Sequence, residues 1–327
     1  MSEERELPTK PIGVVASLSA GLDVVIQGWR VMLIPLCLDL FLWFGPHLSI
    51  QPVADRVLAE LAPLLDGNPA VELLRQAASE LNYFSTFSVA PLGVPSLMAV
   101  KLPKENPLGQ PSVYVVSDEL QWMLLFVGLI LGGLLAGGVY LGLIAQQVRD
   151  GAFSLSRLFG IVPRYWLSLL ALVVALLLIG AVLAMPILLA VVLLSGLSIW
   201  IATLVVWIGF MLFLWLVFHL IFTVHGILLN HQPLHMAVWN SLRLVAFNSF
   251  SVMGLVALFL ALSGGLNFLW SLPKDDSWML LVGIAGHAVI SSGLLAATFV
   301  FYQDRYRYWQ EVRAYFARET HRDTTES

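Results

Sequence analysis

From Tyr165 to Phe218 the chain runs through 54 residues without an Asp, Glu, Lys, Arg or His. No other feature limits the fold as much. A single helix of that length would reach about 80 Å at 1.5 Å per residue, against a hydrocarbon core of about 30 Å. A soluble domain could not hide such a run: charged residues are only 12% of the chain and apolar ones 59%, where soluble proteins average roughly 25% and 45–50%. The run therefore reads as two membrane spans, about 165–194 and 198–228, folded back at SGLS, residues 195–198.

The same length rule marks four further spans, about 30–50, 121–147, 249–270 and 278–303. Lipid offers the backbone no hydrogen-bond partner, and these runs lack the alternation of barrel strands, so the spans are expected to be helices. The expected fold class is all-α, a polytopic bundle of six transmembrane helices within residues 12–303. A loose tail, 1–11, precedes it, and a basic, aromatic tail, 304–327, follows. The opening MSEERELPTK lacks the pattern of a signal peptide, so the first apolar run is expected to stay as an anchor. The single Cys37 permits no intrachain disulfide. A net charge of −4 and the lack of a basic patch interleaved with aromatics argue against a nucleic-acid partner.

Six spans put both termini on one side, and twelve of the seventeen Lys and Arg residues fall there. The positive-inside rule makes that side cytoplasmic, in a cell membrane. A short semi-polar stretch precedes each odd-numbered span: SLSAGLDVVIQGW (17–29), SLSRLFGIVPRYW (154–166) and VWNSLRLVAFNSF (238–250). The first two align without gaps, Trp29 on Trp166, and Phe250 takes the aromatic position in the third. This suggests one unit used three times, over 12–147, 148–230 and 231–303: interfacial helix, span out, span back. Parallel repeats of this kind imply a pseudo-threefold axis along the membrane normal.

The first unit departs from the pattern by a long excursion, 51–120, expected to form an extracytoplasmic cap. Val57, Leu58, Leu61, Leu64 and Leu65 share one helical face, and Val71, Leu74, Ala78 and Leu81 another, opened by Asn68 and Pro69. The apolar SVAPLGVPSLMA, broken by Pro91 and Pro95, is expected to lean on the mouth of the bundle or on the membrane.

Ionisable groups inside a bilayer are costly and call for a partner. Three lie well inside the spans: Asp39, His219 and His287. Counted from the inner helix ends, Asp39 and His219 stand about 13 Å deep at 1.5 Å per residue, which makes them the candidate intramembrane polar pair. His287 reads as a second polar site at another level. The pair could be a proton relay, a hydrogen bond that sets helix register, or an Asp39 that is simply uncharged. Gly128, Gly132, Gly133 and Gly137 give the second span smooth faces for close packing, and Pro186 marks a kink. In HGILLNHQPLH, residues 225–235, Gln232 stands where a zinc protease has Glu and Pro233 interrupts the turn, so no metal is expected. No catalytic motif and no cofactor motif is present. Arg305, Arg307, Arg313 and Trp309 form a basic and aromatic stripe suited to lipid headgroups.

The three-unit pattern and the closing FYQDRYRYW resemble loosely defined families of uncharacterised bacterial six-helix membrane proteins. The membrane domain found beside some glycerophosphodiester phosphodiesterases is one of them. The resemblance implies a six-helix membrane fold without the catalytic domain and carries no active-site residue across. The expected function is a non-catalytic scaffold or accessory protein. Its partners would be membrane lipids and a protein engaged through the 51–120 cap or the C-terminal tail. The alternative is a small transporter or lipid-handling protein with a polar cavity near Asp39 and His219; an intramembrane enzyme is a third reading.

Overall fold

The computed structural model describes residues 10–61, 70–88 and 92–326, with 61, 70 and 316–326 as backbone only. It is 80% helical. Five helices are long and apolar enough to cross a membrane, and a bent pair makes a sixth if its two arms count as one span. The chain forms two compact units. One holds residues 22–166 and 258–295 and contains the excursion; it is called the cap unit below. The other holds 167–257 and 296 onward, together with the chain up to Gly21, and is called the hairpin unit.

The first expected span, 30–50, is corrected by the structure. α1 (Val14–Gln27) meets the next helical segment, Trp29–Phe44, at 89°. That segment is a 3-10 turn, Trp29–Met32, followed by α2, Leu33–Phe44. α2 has 12 residues, about 18 Å, which is short of a bilayer core. It stops because Pro46 disfavours the helical conformation at Gly45, which is extended at φ −76° and ψ 178°.

After α2 the cap unit makes β1 (His47–Ser49), α3 (Gln51–Leu61), α4 (Ala70–Glu80), a 3-10 turn at Tyr83–Phe87, the one-turn α5 (Met98–Lys101) and β2 (Val113–Val115). The two strands, not foreseen in an all-α chain, pair in parallel with His47 opposite Val113 and Ser49 opposite Val115. Leu48, Tyr83 and Val116 bury together beneath them, and the Trp122 indole donates to the Tyr83 hydroxyl at 2.8 Å. α3 buries Val53 and Leu58 but leaves Val57 exposed, and Leu74 of α4 is exposed too. The expected apolar faces are therefore only partly used. Leu64, Leu65, Asn68 and Pro69 lie outside the described residues.

α6, Glu119–Asp150, is capped by Asp118, whose side chain accepts the Gln121 N–H at 2.7 Å. Two of its glycines, Gly132 and Gly137, receive the cap. Gly133 is buried. A Cβ at Gly132 would press on the Phe87 ring at 3.0 Å, and one at Gly137 would overlap the Leu92 carbonyl. Gly128 has open space beside it. The Tyr140 hydroxyl, fully buried, meets Ser292 Oγ of α11 (Leu280–Glu326) at 2.8 Å.

In the hairpin unit α7 (Leu155–Ser195) and α8 (Ile199–Leu220) fold back at Gly196–Leu197. α7 is unbroken from residue 155, so 154–166 is not a separate surface element, and it runs on through Pro186. Ile187 fills the space beside Gly209. Only 11% of the apolar window of either helix is buried, against 56% in α11. Trp207 and Trp215 are exposed with them. The chain breaks between α8 and α9 (Thr223–Asn230). The break is satisfied by Ser241 of α10 (Leu234–Trp270), whose Oγ donates to the His219 carbonyl at 2.7 Å and accepts the Phe222 N–H at 3.1 Å. α10 contains one non-helical residue, Asn248 at φ −126° and ψ 25°. Helix α11 continues through the basic tail to Glu326. Most of the expected loose tail, 1–11, lies outside the described residues.

Candidate functional site

α2 buries Pro35, Asp39, Leu42 and Trp43, spaced i, i+4, i+7 and i+8, so the acid sits on the inward stripe of its helix. Asp39 is 0% exposed. Its Oδ1 accepts the Ser96 hydroxyl at 2.5 Å and the Met98 N–H at 3.0 Å. Ser96 Oγ in turn accepts the Ala99 N–H at 3.0 Å. A carboxylate and a serine thus take up the free N–H groups at the start of α5, the groups every helix N-terminus leaves unpaired. The proline-broken segment is held down at this point: Leu97 and Met98 bury against Leu42, Trp43, Leu280 and Ile284.

The other carboxylate oxygen faces His287 of α11, with Oδ2 3.4 Å from Nδ1. That is longer than a good hydrogen bond, and neither atom has a hydrogen-bond partner. His287 is 4% exposed. The structure therefore partners Asp39 with His287, and His219 is placed differently. The His219 ring bonds the Trp215 carbonyl one turn back at 2.9 Å and lies against the Trp215 ring, tilted by 39°. Residue 30 is the wrong origin for depth, because 30–50 is not one helix. Measured from the far end of α2 at Phe44, Asp39 is five residues in, about 8 Å. His287 is seven residues into α11, about 10 Å, and so stands level with it.

A second set of contacts surrounds the clasp. Lys101 Nζ lies 2.9 Å from Asp275 Oδ1 and donates to the Ser271 and Pro273 carbonyls at 2.9 and 3.0 Å. The Asp275 carbonyl accepts the Trp43 indole N–H at 2.9 Å, and Asn106 donates to the Trp43 carbonyl at 3.2 Å. Leu102, in the left-handed region at φ 51°, is a strained conformation for a leucine. It lies between these anchors, where strain of this kind can persist. Ser96 and Lys101 were not singled out by sequence reasoning. Their only signal was Ser96 placed just before the apolar LMAV, in the manner of a helix cap.

In HGILLNHQPLH, His225 Nε2 bonds Thr298 Oγ1 at 2.8 Å, among Phe222, Phe299 and Tyr302. His231 is in the left-handed region at φ 52°, closing α9. His235 is exposed.

The basic stripe divides. Arg307 and Arg313 are exposed, Arg313 lying over the Trp309 ring at 4.8 Å. Arg305, expected at the headgroups, is instead 6% exposed, with its guanidinium carbon 3.4 Å above the centre of the Phe301 ring. Its Nε and Nη1 have no hydrogen-bond partner.

No protein-family model matches the chain, and no match was found among curated proteins or among solved structures.

Proposed function

We propose that the chain is a multi-pass protein of the cell membrane that acts as a non-catalytic scaffold or accessory protein. It would have three parallel repeats and both termini in the cytoplasm, and it would present a fixed cap to partners on one side and a basic helix to lipid on the other. The supporting observation is the closure around Asp39. Oδ1 is saturated by two donors, Oδ2 faces His287, and the residue has no exposed surface. A cap segment anchored in this way is a fixed surface.

The transporter reading draws on the same residues, because a buried carboxylate beside an imidazole can hand a proton across. A relay needs a route in and a route out. Oδ1 of Asp39 accepts two hydrogen bonds and Oδ2 lies 3.4 Å from the His287 ring inside a closed site, which favours the clasp. The orientation is testable by thiol labelling in a Cys37→Ser background. A membrane-impermeant maleimide should label Lys104→Cys from outside intact cells and Arg313→Cys only after the membrane is opened. Labelling of both from one side would overturn the six-span, cytoplasmic-termini arrangement.

A further inference from the structure

Arg305 lines a narrow cleft between α10 and α11 in the hairpin unit, with Asn240, Arg243, Phe247, Asn248, Tyr306 and Trp309 around it. Two guanidinium groups border this cleft and no carboxylate does. Arg243 is exposed at the rim and lies over the Trp239 ring at 4.7 Å, whereas Arg305 is buried at the floor with two unpartnered nitrogens. The carboxylate next in the chain, Asp304, accepts the Ile12 N–H at 2.8 Å. A buried cation with unpartnered nitrogens is costly in any protein, and most of all at a membrane.

We infer that this cleft is a binding site for a phosphate group, and that Arg305 is kept unpartnered for it. The donors suit that group. Guanidinium forks match tetrahedral oxyanions two oxygens at a time. The Tyr306 hydroxyl accepts from Gln232 at 2.9 Å, which leaves its own proton to donate. The space suits it as well. The cleft admits about one water-sized group, about 20 Å³, enough for one phosphate oxygen. Along α11 the apolar run ends at Phe301 and Tyr302, and Arg305 stands one turn further on. That is the depth at which a bilayer places its headgroups. A phospholipid headgroup and a free phosphate share this chemistry, and the experiment separates them.

The inference rests on the membrane reading, which the labelling experiment tests without any lipid. Here the full chain is purified and reconstituted in phosphatidylcholine nanodiscs. Dioctanoyl-phosphatidylglycerol and dioctanoyl-phosphatidylcholine are titrated against it separately. The glycerol lipid should bind at least about tenfold more tightly, and Arg243→Gln should weaken it about tenfold by removing one charge-assisted fork. Arg305→Gln should weaken it further. If that variant fails to fold, the rim variant carries the test alone. Arg307→Gln, exposed on the same helix, should change affinity by less than about twofold, as a screened surface charge does. Competition by millimolar inorganic phosphate would support the site and make free phosphate a sufficient ligand. Binding of phosphatidylglycerol undisturbed by phosphate would support it and make the lipid the ligand. Equal affinity for the two lipids, or equal weakening by Arg243→Gln and Arg307→Gln, would overturn the inference.

Discussion

Asp39 and Arg305 are both ionisable, both on helices, and exposed by only 0% and 6%. Their surroundings differ completely. Asp39 Oδ1 accepts from a serine hydroxyl and a backbone N–H, while its Oδ2 lies 3.4 Å from an imidazole without a hydrogen bond. Arg305 is met by the face of a phenylalanine, with Nε and Nη1 unpartnered. Burial alone does not separate a structural charge from a binding one. The count of partners does, because a folded chain that can satisfy a buried group normally has done so. The cap unit closes around its charge, and the hairpin unit leaves its own open to a cleft.

The sharpest way to break this contrast is to delete each charge and compare the signs. Asp39→Ala orphans the Ser96 hydroxyl and the Met98 N–H together. It should cost about 2–4 kcal/mol in reversible unfolding in mixed micelles. Asp39→Asn keeps an acceptor and should cost less. Gly137→Ala comes next. Its Cβ would overlap the Leu92 carbonyl, so it should lose about 1–3 kcal/mol as an overpacked site. Gly128→Ala, with open space beside it, should be neutral or slightly favourable, up to about 1 kcal/mol by helix propensity. If the two glycines respond alike, the cap is not seated on α6. Ser96→Ala should cost about 1 kcal/mol. Arg305→Met should show the smallest effect and the opposite sign, a gain of up to about 1 kcal/mol in phosphate-free micelles, because the charge it removes has no partner. A loss there as large as that of Asp39→Ala would erase the distinction.

The membrane helices were legible because their signal is local. An apolar run of sufficient length, together with the fold-back at SGLS, needs no tertiary information. The end of α2 was legible as well, since Gly45-Pro46 stands inside the expected 30–50 span and proline restricts the residue before it. The pairing of Asp39 was not. Depth along a helix depends on where that helix ends, and moving the reference from residue 30 to Phe44 exchanged His219 for His287 as the partner at the same level. The seat of the cap on the α6 glycines was hidden for another reason. Small-xxx-small spacing says that something approaches closely, without saying whether it is a helix or a loop backbone. Arg305 had the composition of a headgroup contact, and nothing in the sequence distinguishes it from Arg307 two residues on. Only packing against Phe301 does.

The central claim is that the carboxylate of Asp39 fastens the 92–102 segment in place. Amide hydrogen exchange over that segment, read by mass spectrometry in the wild-type chain and in Asp39→Ala, tests it most directly. The account predicts slow exchange in the wild type, clearly slower than in the loop 107–112, and an increase of about tenfold or more when the carboxylate is removed. Wild-type exchange as fast as in that loop, or a rate that Asp39→Ala leaves unchanged, would contradict it.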